Sequence, residues 1–289
     1  MKLQVPDNRK EMKRLFFASV ILFMWIQASG QALSGGQFLP ESEWVTKVIT
    51  PGVMLKSAQT RLFDSFQAIY VIDIDTKAGN YEFGVFVPDK RLVTSDIAAS
   101  EDVLAAINGT FFNMQEGYNV HYVKVNDSVI ALTDDGEFGV RATGLLTAQG
   151  EEVDISAWGP EREDAGVVKA EDAIVSGPLL VDDGREISLD STNFNNNRHP
   201  RSLVGITGDG HVLFIAVDGR QPGYAEGMSL FELRELARSL GCTEILNLDG
   251  GGSTTLYVKG EGVNGVVNKP SGKVERPVPS IVFVKVRDN

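Results

Sequence analysis

Short stretches of alternating hydrophobic and polar positions recur along the chain, which is the pattern of β-strands. Residues 68–75 and 81–87 alternate β-branched and aromatic side chains with polar ones, and a Lys-Ala-Gly-Asn turn separates them. This pair predicts a β-hairpin. The pattern then predicts a short helix over residues 95–100 and a buried strand over residues 103–107, where every side chain is apolar.

The C-terminal third carries the clearest signals. Residues 202–207 and 211–217 flank Gly-Asp-Gly at 208–210, which predicts a second hairpin. Ser229 and Glu232 have the spacing of a capping box before an apolar series of helical period. Further strands are predicted over residues 244–248, 254–258 and 279–286. Since strands outnumber helices, the sequence predicts an α+β fold: a single domain on a large mixed, mainly antiparallel β-sheet with few helices.

The N-terminus differs in composition from the rest. Basic residues precede an apolar run over 15–26, and small residues follow at 28–30. This layout predicts a secretory signal peptide over residues 1–30, and the run is too short for a comfortable membrane span. Cys242 is the only cysteine and excludes an internal disulfide. We therefore expect a periplasmic or extracellular protein of a bacterial envelope, without a stable membrane anchor after cleavage.

The charge balance narrows the classes of ligand. The formal net charge is −12, and removal of residues 1–30, with five basic and two acidic side chains, would make it −15. An acidic surface repels nucleic acid and offers it no electrostatic footprint. An anionic substrate would also be repelled at long range, so local groups must bind it.

One stretch, Leu-Asn-Leu-Asp-Gly-Gly-Gly-Ser-Thr-Thr-Leu over residues 246–256, combines an acid with a flexible backbone. Its polar and glycine positions are Asp249, Gly250, Gly251, Gly252, Ser253 and Thr254. Consecutive glycines allow backbone N–H groups to converge on an anion such as phosphate. The lysine of a Walker A loop is missing, and Thr255 replaces the second glycine of a nucleophile elbow. The alternative is a plain glycine-rich turn between two strands.

Other polar residues lie at the ends of predicted strands. They are Asn108, His199, Arg201, Asp218, Arg220, Asn268, Glu275 and Arg276. If these strand ends converge at one sheet edge, they form a site on a rigid scaffold. The structural alternatives are an Asp218–Arg220 ion pair that fixes a turn, a solvated pair at 275–276 and a turn cap at Asn108. No His/Cys clustering of a zinc site is present in the sequence.

The chain resembles the phosphodiester glycosidase family in six motifs. They are Asn108-Gly-Thr-Phe-Phe, Ser176-Gly-Pro-Leu-Leu, Arg198-His-Pro-Arg, Val217-Asp-Gly-Arg, Leu246-Asn-Leu-Asp-Gly-Gly-Gly-Ser and Glu275-Arg-Pro. The motifs keep the order and spacing of that family over roughly residues 95–287. The predicted organisation is therefore a signal peptide over 1–30, N-terminal strands over 31–94 and a phosphodiester glycosidase-like domain over 95–289. Thr110 departs from the family, which commonly has glycine there.

The resemblance implies hydrolysis of a sugar-1-phosphodiester to free sugar and phosphomonoester. Because the leaving phosphomonoester is already a stable anion, its protonation matters less than in an ordinary glycosidase. Such a site instead needs groups that stabilise the anion and a carboxylate beside the developing oxocarbenium ion. Asp249 is the first candidate for that carboxylate, Asp218 the second and Glu275 the third. Arg201 and Arg276 are candidates for bidentate contacts with the phosphate.

The resemblance also assigns supporting roles. The N–H groups of Gly251 and Gly252, with Ser253, would complete an anion cradle. Expected substrate contacts include Gly250, Thr254, Arg220, Asn108 and Asn268, with His199 as an acid/base candidate. The expected partner is a phosphorylated carbohydrate; no cofactor is required, and a divalent cation held by Asp218 or Asp249 is left open. The competing interpretation is a non-catalytic binding protein for anionic, phosphorylated glycans of the cell envelope.

Overall fold

The protein is described by a computed structural model over residues 39–164 and 166–287, so the predicted signal peptide lies outside the described residues. Within those ranges the chain forms seventeen strands and four α-helices. The strands are β1 (Val45–Thr50), β2 (Val53–Leu62), β3 (Ser65–Asp75), β4 (Tyr81–Phe86), β5 (Ala105–Asn108), β6 (Val123–Val125), β7 (Ser128–Ala131), β8 (Gly144–Gln149), β9 (Glu152–Ala157), β10 (Asp172–Ser176), β11 (Leu179–Asp182), β12 (Arg185–Glu186), β13 (Arg201–Thr207), β14 (His211–Val217), β15 (Cys242–Asn247), β16 (Leu256–Val258) and β17 (Ile281–Val286). The helices are α1 (Thr94–Ser100), α2 (Pro160–Asp164), α3 (Asn193–Asn196) and α4 (Leu230–Ser239).

These strands form three sheets. The eight-stranded sheet has the order β1-β2-β3-β14-β13-β15-β11-β12, the five-stranded sheet β7-β6-β10-β8-β9, and the four-stranded sheet β16-β5-β17-β4. Neighbouring strands pair antiparallel throughout. The predicted class, a mainly antiparallel α+β domain with few helices, is confirmed, with its strands distributed over three sheets.

The main core lies between the three sheets. Its largest apolar cluster includes Ile72 from the eight-stranded sheet, Ile107 from the four-stranded sheet and Leu146 from the five-stranded sheet, all with no exposed surface. Because each sheet buries one face there, residues distant in sequence are fixed relative to one another. This packing gives the loops at the strand ends a rigid base.

Helix α4 covers the outer face of the eight-stranded sheet. Its predicted capping box is confirmed: the Ser229 side chain accepts from the Glu232 N–H, and the Glu232 carboxylate accepts from the Ser229 N–H. Leu233 and Leu236 are fully buried and share an apolar cluster with Ile245 of β15. The helical spacing of these apolar residues packs α4 against the sheet, and this packing positions the start of β15.

The predicted N-terminal hairpin is wrong. β3 pairs with β2 and β14, whereas β4 pairs with β17 in another sheet. The true hairpin joins β2 to β3 through Phe63 and Asp64, whose φ angles are 53° and 59°. Two positive φ values suit such a tight turn, but Phe is not a residue that predicts them. The sequence therefore located both strands and misassigned their partners.

The C-terminal hairpin is confirmed, because β13 and β14 pair along their whole length. β15 and β16, in contrast, belong to different sheets, so the glycine-rich loop after β15 crosses from the eight-stranded to the four-stranded sheet. No helix within the described ranges is long and apolar enough to cross a membrane.

Candidate active site

The glycine-rich loop begins where the ends of two sheets meet. The Asp249 N–H donates to the Gly109 carbonyl at 3.2 Å, and the Asn108 amide donates to the Asp249 carbonyl at 2.7 Å. Asn108 Oδ1 accepts from the Ser202 hydroxyl at 2.7 Å and from the Thr255 N–H at 3.2 Å. Asn108 is fully buried, and its amide is occupied by these contacts. It therefore positions the loop through contacts within the protein.

The Asp249 carboxyl is the acid at the centre of this loop. Burial raises its pKa to about 6, although a hydrogen bond with Ser253 and the positive charges of Arg276 and Arg141 lower it. The carboxyl group itself is enclosed, whereas the residue as a whole is only half-buried. Part of Asp249 therefore remains accessible. Such a group is a carboxylate at neutral pH that can be protonated in mild acid.

Two guanidinium groups lie against the loop backbone. A Cβ at Gly251 would lie 3.1 Å from Arg220 Nη1, and Gly251 has a φ of 61°. A Cβ at Gly252 would collide with the Arg276 guanidinium. Arg276 Nη1 is also 3.5 Å from the Ser253 hydroxyl. A side chain at either position would displace an arginine from the loop, and at Gly251 it would also strain the backbone.

The backbone contributes less to this anion site than the sequence suggested. The Gly251 N–H donates to the Pro200 carbonyl at 2.8 Å, and the Ser253 N–H donates to the Gly250 carbonyl at 3.2 Å. These two donors of the predicted cradle are thus used within the protein. The positive charges that lie against the loop are those of the Arg220 and Arg276 side chains.

Asp218 follows β14 and is held by a different set of contacts. Its carboxylate accepts from Asn268 Nδ2 at 2.9 Å, from the Lys269 N–H at 2.9 and 3.1 Å, and from the Tyr224 hydroxyl at 3.2 Å. Only 1% of Asp218 is exposed. Burial raises its pKa to about 6, and these hydrogen bonds act in the opposite direction. Asp218 therefore fixes the segment that carries Asn268 and Lys269.

The turn after β14 is not fixed by the Asp218–Arg220 ion pair that was the structural alternative. Arg220 has a φ of 58° and extends to His199, whose Nδ1 is 3.3 Å from Arg220 Nη2. Burial lowers the pKa of His199, and the charges of Arg201 and Arg220 lower it further. His199 is therefore a neutral imidazole at pH 7 beside one of the loop arginines.

Asn268 and Thr254 lie beneath the loop. Asn268 Oδ1 accepts from the Leu256 N–H at 2.8 Å, and its amide donates to Asp218 and, at 3.2 Å, to the Thr254 carbonyl. Both Asn268 and Thr254 are buried. Asn268 thus connects the Asp218 turn to the glycine-rich loop, and its polar atoms are used within the protein.

Two other predicted site residues have contacts elsewhere. Arg201, only 1% exposed, donates to the carbonyls of Met228, Phe194 and Asn197 at 2.9, 2.6 and 3.0 Å. Burial lowers its pKa to about 10, and the Arg220 charge contributes in the same direction. Its guanidinium therefore ties backbone segments together.

Glu275 accepts from the N–H of Ser95 at 3.0 Å and from the hydroxyl of Ser95 at 2.5 Å. Its carboxylate is thereby engaged at the start of α1. The predicted solvated pair at 275–276 is replaced by two separate interactions, since Arg276 faces the glycine-rich loop and Glu275 faces the helix.

With this geometry in place, the comparison with known proteins is specific. The sequence profile of the phosphodiester glycosidase family matches residues 101–285. The chain belongs to the phosphodiester glycosidase family. The matched segment contains β5, β13, β14 and β15, which carry Asn108, Arg201, Asp218 and Asp249 on them or at their ends.

Individual relatives of this phosphodiester glycosidase domain are distant. A Bacillus subtilis SPbeta prophage-derived uncharacterized protein, YomE, is 29% identical over 140 residues, covering 47% of this chain and 21% of that protein. Mouse N-acetylglucosamine-1-phosphodiester alpha-N-acetylglucosaminidase is 26% identical over 246 residues, covering 76% of this chain and 46% of that protein. The chain thus spans less than half the length of these relatives.

A solved structure agrees in fold. The catalytic domain of zebrafish N-acetylglucosamine-1-phosphodiester alpha-N-acetylglucosaminidase, auto-inhibited by its pro-peptide, matches with a TM-score of 0.63 at 15% identity. The match covers 87% of this chain and 86% of that one. The phosphodiester glycosidase fold therefore extends over most of the described residues.

Sequence reasoning missed a second part of the site. Arg141, whose positive charge acts on Asp249, donates to both oxygens of Glu137 at 2.9 and 2.5 Å. Glu137 is also 3.3 Å from His121 Nε2, and His121 Nδ1 forms a 2.9 Å hydrogen bond with Thr110. The hydrogen bond with His121 lowers the pKa of Glu137 to about 2, and Arg141 adds to the shift. The network orients Arg141.

No motif surrounds Arg141, which lies between the predicted strands. Thr110, which departs from the family, was the one available signal, because a hydroxyl in a buried motif requires a partner. The described residues contain no group of three or more His, Cys, Asp or Glu side chains placed to bind a metal ion. The divalent cation remains an untested expectation.

Proposed function

We propose that this protein is an exported hydrolase that cleaves a sugar-1-phosphodiester into free sugar and a phosphomonoester. The observation that carries the proposal is the Asp249 carboxyl in a loop flanked by the guanidinium groups of Arg220 and Arg276. Family membership and the name of the mouse relative support the same reaction. An acid in this loop and two cations beside it match the charges that the reaction develops.

In the proposed reaction, the bond between the anomeric carbon and the phosphate oxygen breaks, and the bonding electrons leave with the phosphate. Arg220 and Arg276 bind the departing phosphomonoester, whose negative charge grows as the bond breaks. The Asp249 carboxylate faces the positive anomeric carbon as nucleophile, base or charge stabiliser. Water finally supplies the hydroxyl at that carbon, and its other proton is released to the solvent.

The test uses N-acetylglucosamine-1-(methyl phosphate) in water enriched in oxygen-18. We expect free sugar that carries the label and methyl phosphate that does not, because the phosphate keeps its original oxygen. Label in methyl phosphate would mean cleavage at phosphorus and would overturn the glycosidase assignment. Binding without either product would favour the alternative, a glycan-binding protein of the envelope.

Export is proposed from the N-terminal pattern. The layout of residues 1–30 is that of a cleavable signal. Expression of the full chain in a Gram-negative host should yield a periplasmic protein whose N-terminus lies near residue 30. An uncleaved chain in the membrane fraction would contradict this part of the proposal.

A further inference from the structure

A cavity next to the candidate active site is not used by the proposed chemistry. It has a volume of about 480 Å³, within the usual range of small-molecule pockets. Six apolar residues line it: Val140, Pro178, Leu179, Ile187, Leu189 and Phe194. Arg141 and Asp190 are the only charged residues in its wall.

The cavity adjoins the loop of Asp249 through two routes. Arg141 belongs to its wall and also acts on the Asp249 carboxyl. Phe111 lies 4.9 Å from the Arg141 guanidinium and 6.0 Å from the ring of Phe194. Phe111 is two residues after Gly109, whose carbonyl accepts from the Asp249 N–H. Phe111 therefore connects two lining residues, Arg141 and Phe194, to the segment that positions the acid.

A second route runs through the eight-stranded sheet. Asn247, the last residue of β15, donates to the Gly177 carbonyl at 2.7 Å, and Pro178 lines the cavity. The chain continues from Asn247 through Leu248 to Asp249. Asp249 therefore lies two residues after a side chain that holds the segment lining the cavity.

The lining suits an apolar group better than a sugar ring. Sugar sites present many hydrogen-bond donors and acceptors, whereas most of the surface that lines this cavity is apolar, with Thr143, Ser188, Thr192 and Asn195 as its uncharged polar side chains. Transfer of apolar surface out of water is the main favourable term such a lining offers. Arg141 at its edge is suited to an anionic group, and its geometry is fixed by Glu137. An amphiphile with a phosphate at one end and an apolar chain at the other fits both features.

Resting on the proposed function, we infer that the alcohol esterified to the phosphate is apolar, and that its chain occupies this cavity beside Arg141. The substrate class is then a sugar-1-phosphodiester of an alkyl-type alcohol. Asp249 would face the sugar side of the phosphate, and the cavity would receive the opposite side. The geometry thus divides the substrate between a charged loop and an apolar pocket.

The test compares methyl and hexyl esters of N-acetylglucosamine-1-phosphate as substrates. Each methylene transferred from water to an apolar site contributes up to about fourfold, so we expect kcat/KM for the hexyl ester to exceed that for the methyl ester by at least roughly 30-fold. Val140→Asn should reduce this preference about fivefold while turnover of the methyl ester is unchanged. Adding Leu189→Asn should reduce it further.

The matched control is Val48→Asn. Val48 and Val140 are exposed to similar extents, 66% and 61%, and Val48 lies on the edge strand β1. Turnover of the methyl ester reports whether each variant is folded. Equal rates for the two esters in the unmodified protein, or a preference unchanged by Val140→Asn, would overturn the inference.

Binding separates this inference from the proposed function. Monohexyl phosphate and monomethyl phosphate are titrated calorimetrically into the unmodified protein and the Val140→Asn variant. We expect tighter binding of the hexyl compound, with the advantage reduced in the variant. If neither ester is hydrolysed but this pattern is seen, the glycosidase proposal fails and the apolar site stands. Equal binding of the two phosphates would refute the apolar site.

Discussion

Two loops of this protein begin with the same sequence signal and have different surroundings. Asp218-Gly and Asp249-Gly each follow a buried strand of the eight-stranded sheet, and burial raises the pKa of both aspartates to about 6. Asp218 accepts hydrogen bonds from three neighbouring residues of the protein. Asp249 accepts hydrogen bonds from Ser253 and from the Gly250 backbone, and its surroundings carry the positive charges of Arg276 and Arg141. The comparison shows that the surrounding donors, and not the raised pKa, distinguish a structural carboxylate from a candidate catalytic one.

The difference has a physical basis in how each charge is compensated. A buried carboxylate with several hydrogen bonds from the protein is satisfied and has little capacity left for a ligand. Arginines that lie over glycine backbone remain able to bind an anion as well as to stabilise the acid. In the proposed function, these arginines bind the phosphate of the substrate.

The sharpest test of this contrast is Asp249→Asn. We expect kcat for the sugar-1-phosphodiester to fall on the order of 10³-fold, because an amide cannot stabilise a developing cation. The free energy of unfolding, measured in urea at pH 7, should not fall, because a neutral amide avoids the cost of burying the charge that raises the pKa of Asp249. Near-normal turnover would remove Asp249 from the chemistry.

The next largest effect is expected for the loop arginines. Arg276→Ala should lower kcat/KM on the order of 10²-fold, since one guanidinium no longer stabilises the leaving phosphate. Arg61→Ala is the matched control, because Arg61 contacts Phe66 at the surface, with 5.0 Å between guanidinium and ring centroid. Equal effects of the two substitutions would show that Arg276 acts only through general charge.

Asp218→Asn tests the other side of the comparison. We expect a loss of about 1–3 kcal/mol in the free energy of unfolding, because an amide nitrogen would face donors that now meet an acceptor. Urea unfolding measures this loss. Turnover of the variant should likewise be lost at lower urea concentrations than turnover of the unmodified protein. A fully stable variant with abolished turnover would instead make Asp218 the catalytic carboxylate.

The pH dependence follows from the raised pKa of Asp249. If the carboxylate is the active form, kcat/KM should fall about tenfold per pH unit below pH 6. Its pKa in the unfolded chain is about 4, so its contribution to stability is complete below pH 4 and is lost as the pH rises past 6. Between about pH 4 and pH 6, the activity that depends on the Asp249 carboxylate should therefore rise, while the stability contributed by the protonated group falls. Loss of rate on the alkaline side of pH 6 would indicate a protonated, acid form.

The smallest effect is expected for Glu275→Gln. The carboxylate accepts two hydrogen bonds from Ser95 at the start of α1, so its neutralisation should cost about 0.5–1 kcal/mol of stability. Turnover should stay within about twofold. Thermal unfolding and steady-state kinetics measure the two quantities, and a rate loss larger than the stability loss explains would return Glu275 to the site.

Much of the fold was predictable because its signals are local. The capping box at Ser229 and the Gly-Asp-Gly turn at 208–210 each depend on neighbouring residues only, and both predicted elements are present. Strand pairing is not local. The partner of β4 is β17, about 200 residues away in sequence, and the turn after β3 resembles that of a hairpin.

The site shows the same division. The Asp249 loop was recognisable because three glycines beside an acid are unusual, and Arg276 and Arg220 were correctly singled out as residues near it. Arg201 was an equally reasonable candidate in sequence, yet its Nε and Nη2 donate to backbone carbonyls away from the loop. Arg141 carried no signal, and only the packing of its loop brings its charge to Asp249.

By itself, the sequence determined the class of fold, the family and the loop in which an acid adjoins three glycines. These depend on residue type and short spacing, which the chain displays directly. The tertiary structure decided which of several aspartates and arginines have unused charge, and that an apolar cavity adjoins them. Both depend on which distant segments supply hydrogen-bond partners, and packing between sheets fixes those contacts.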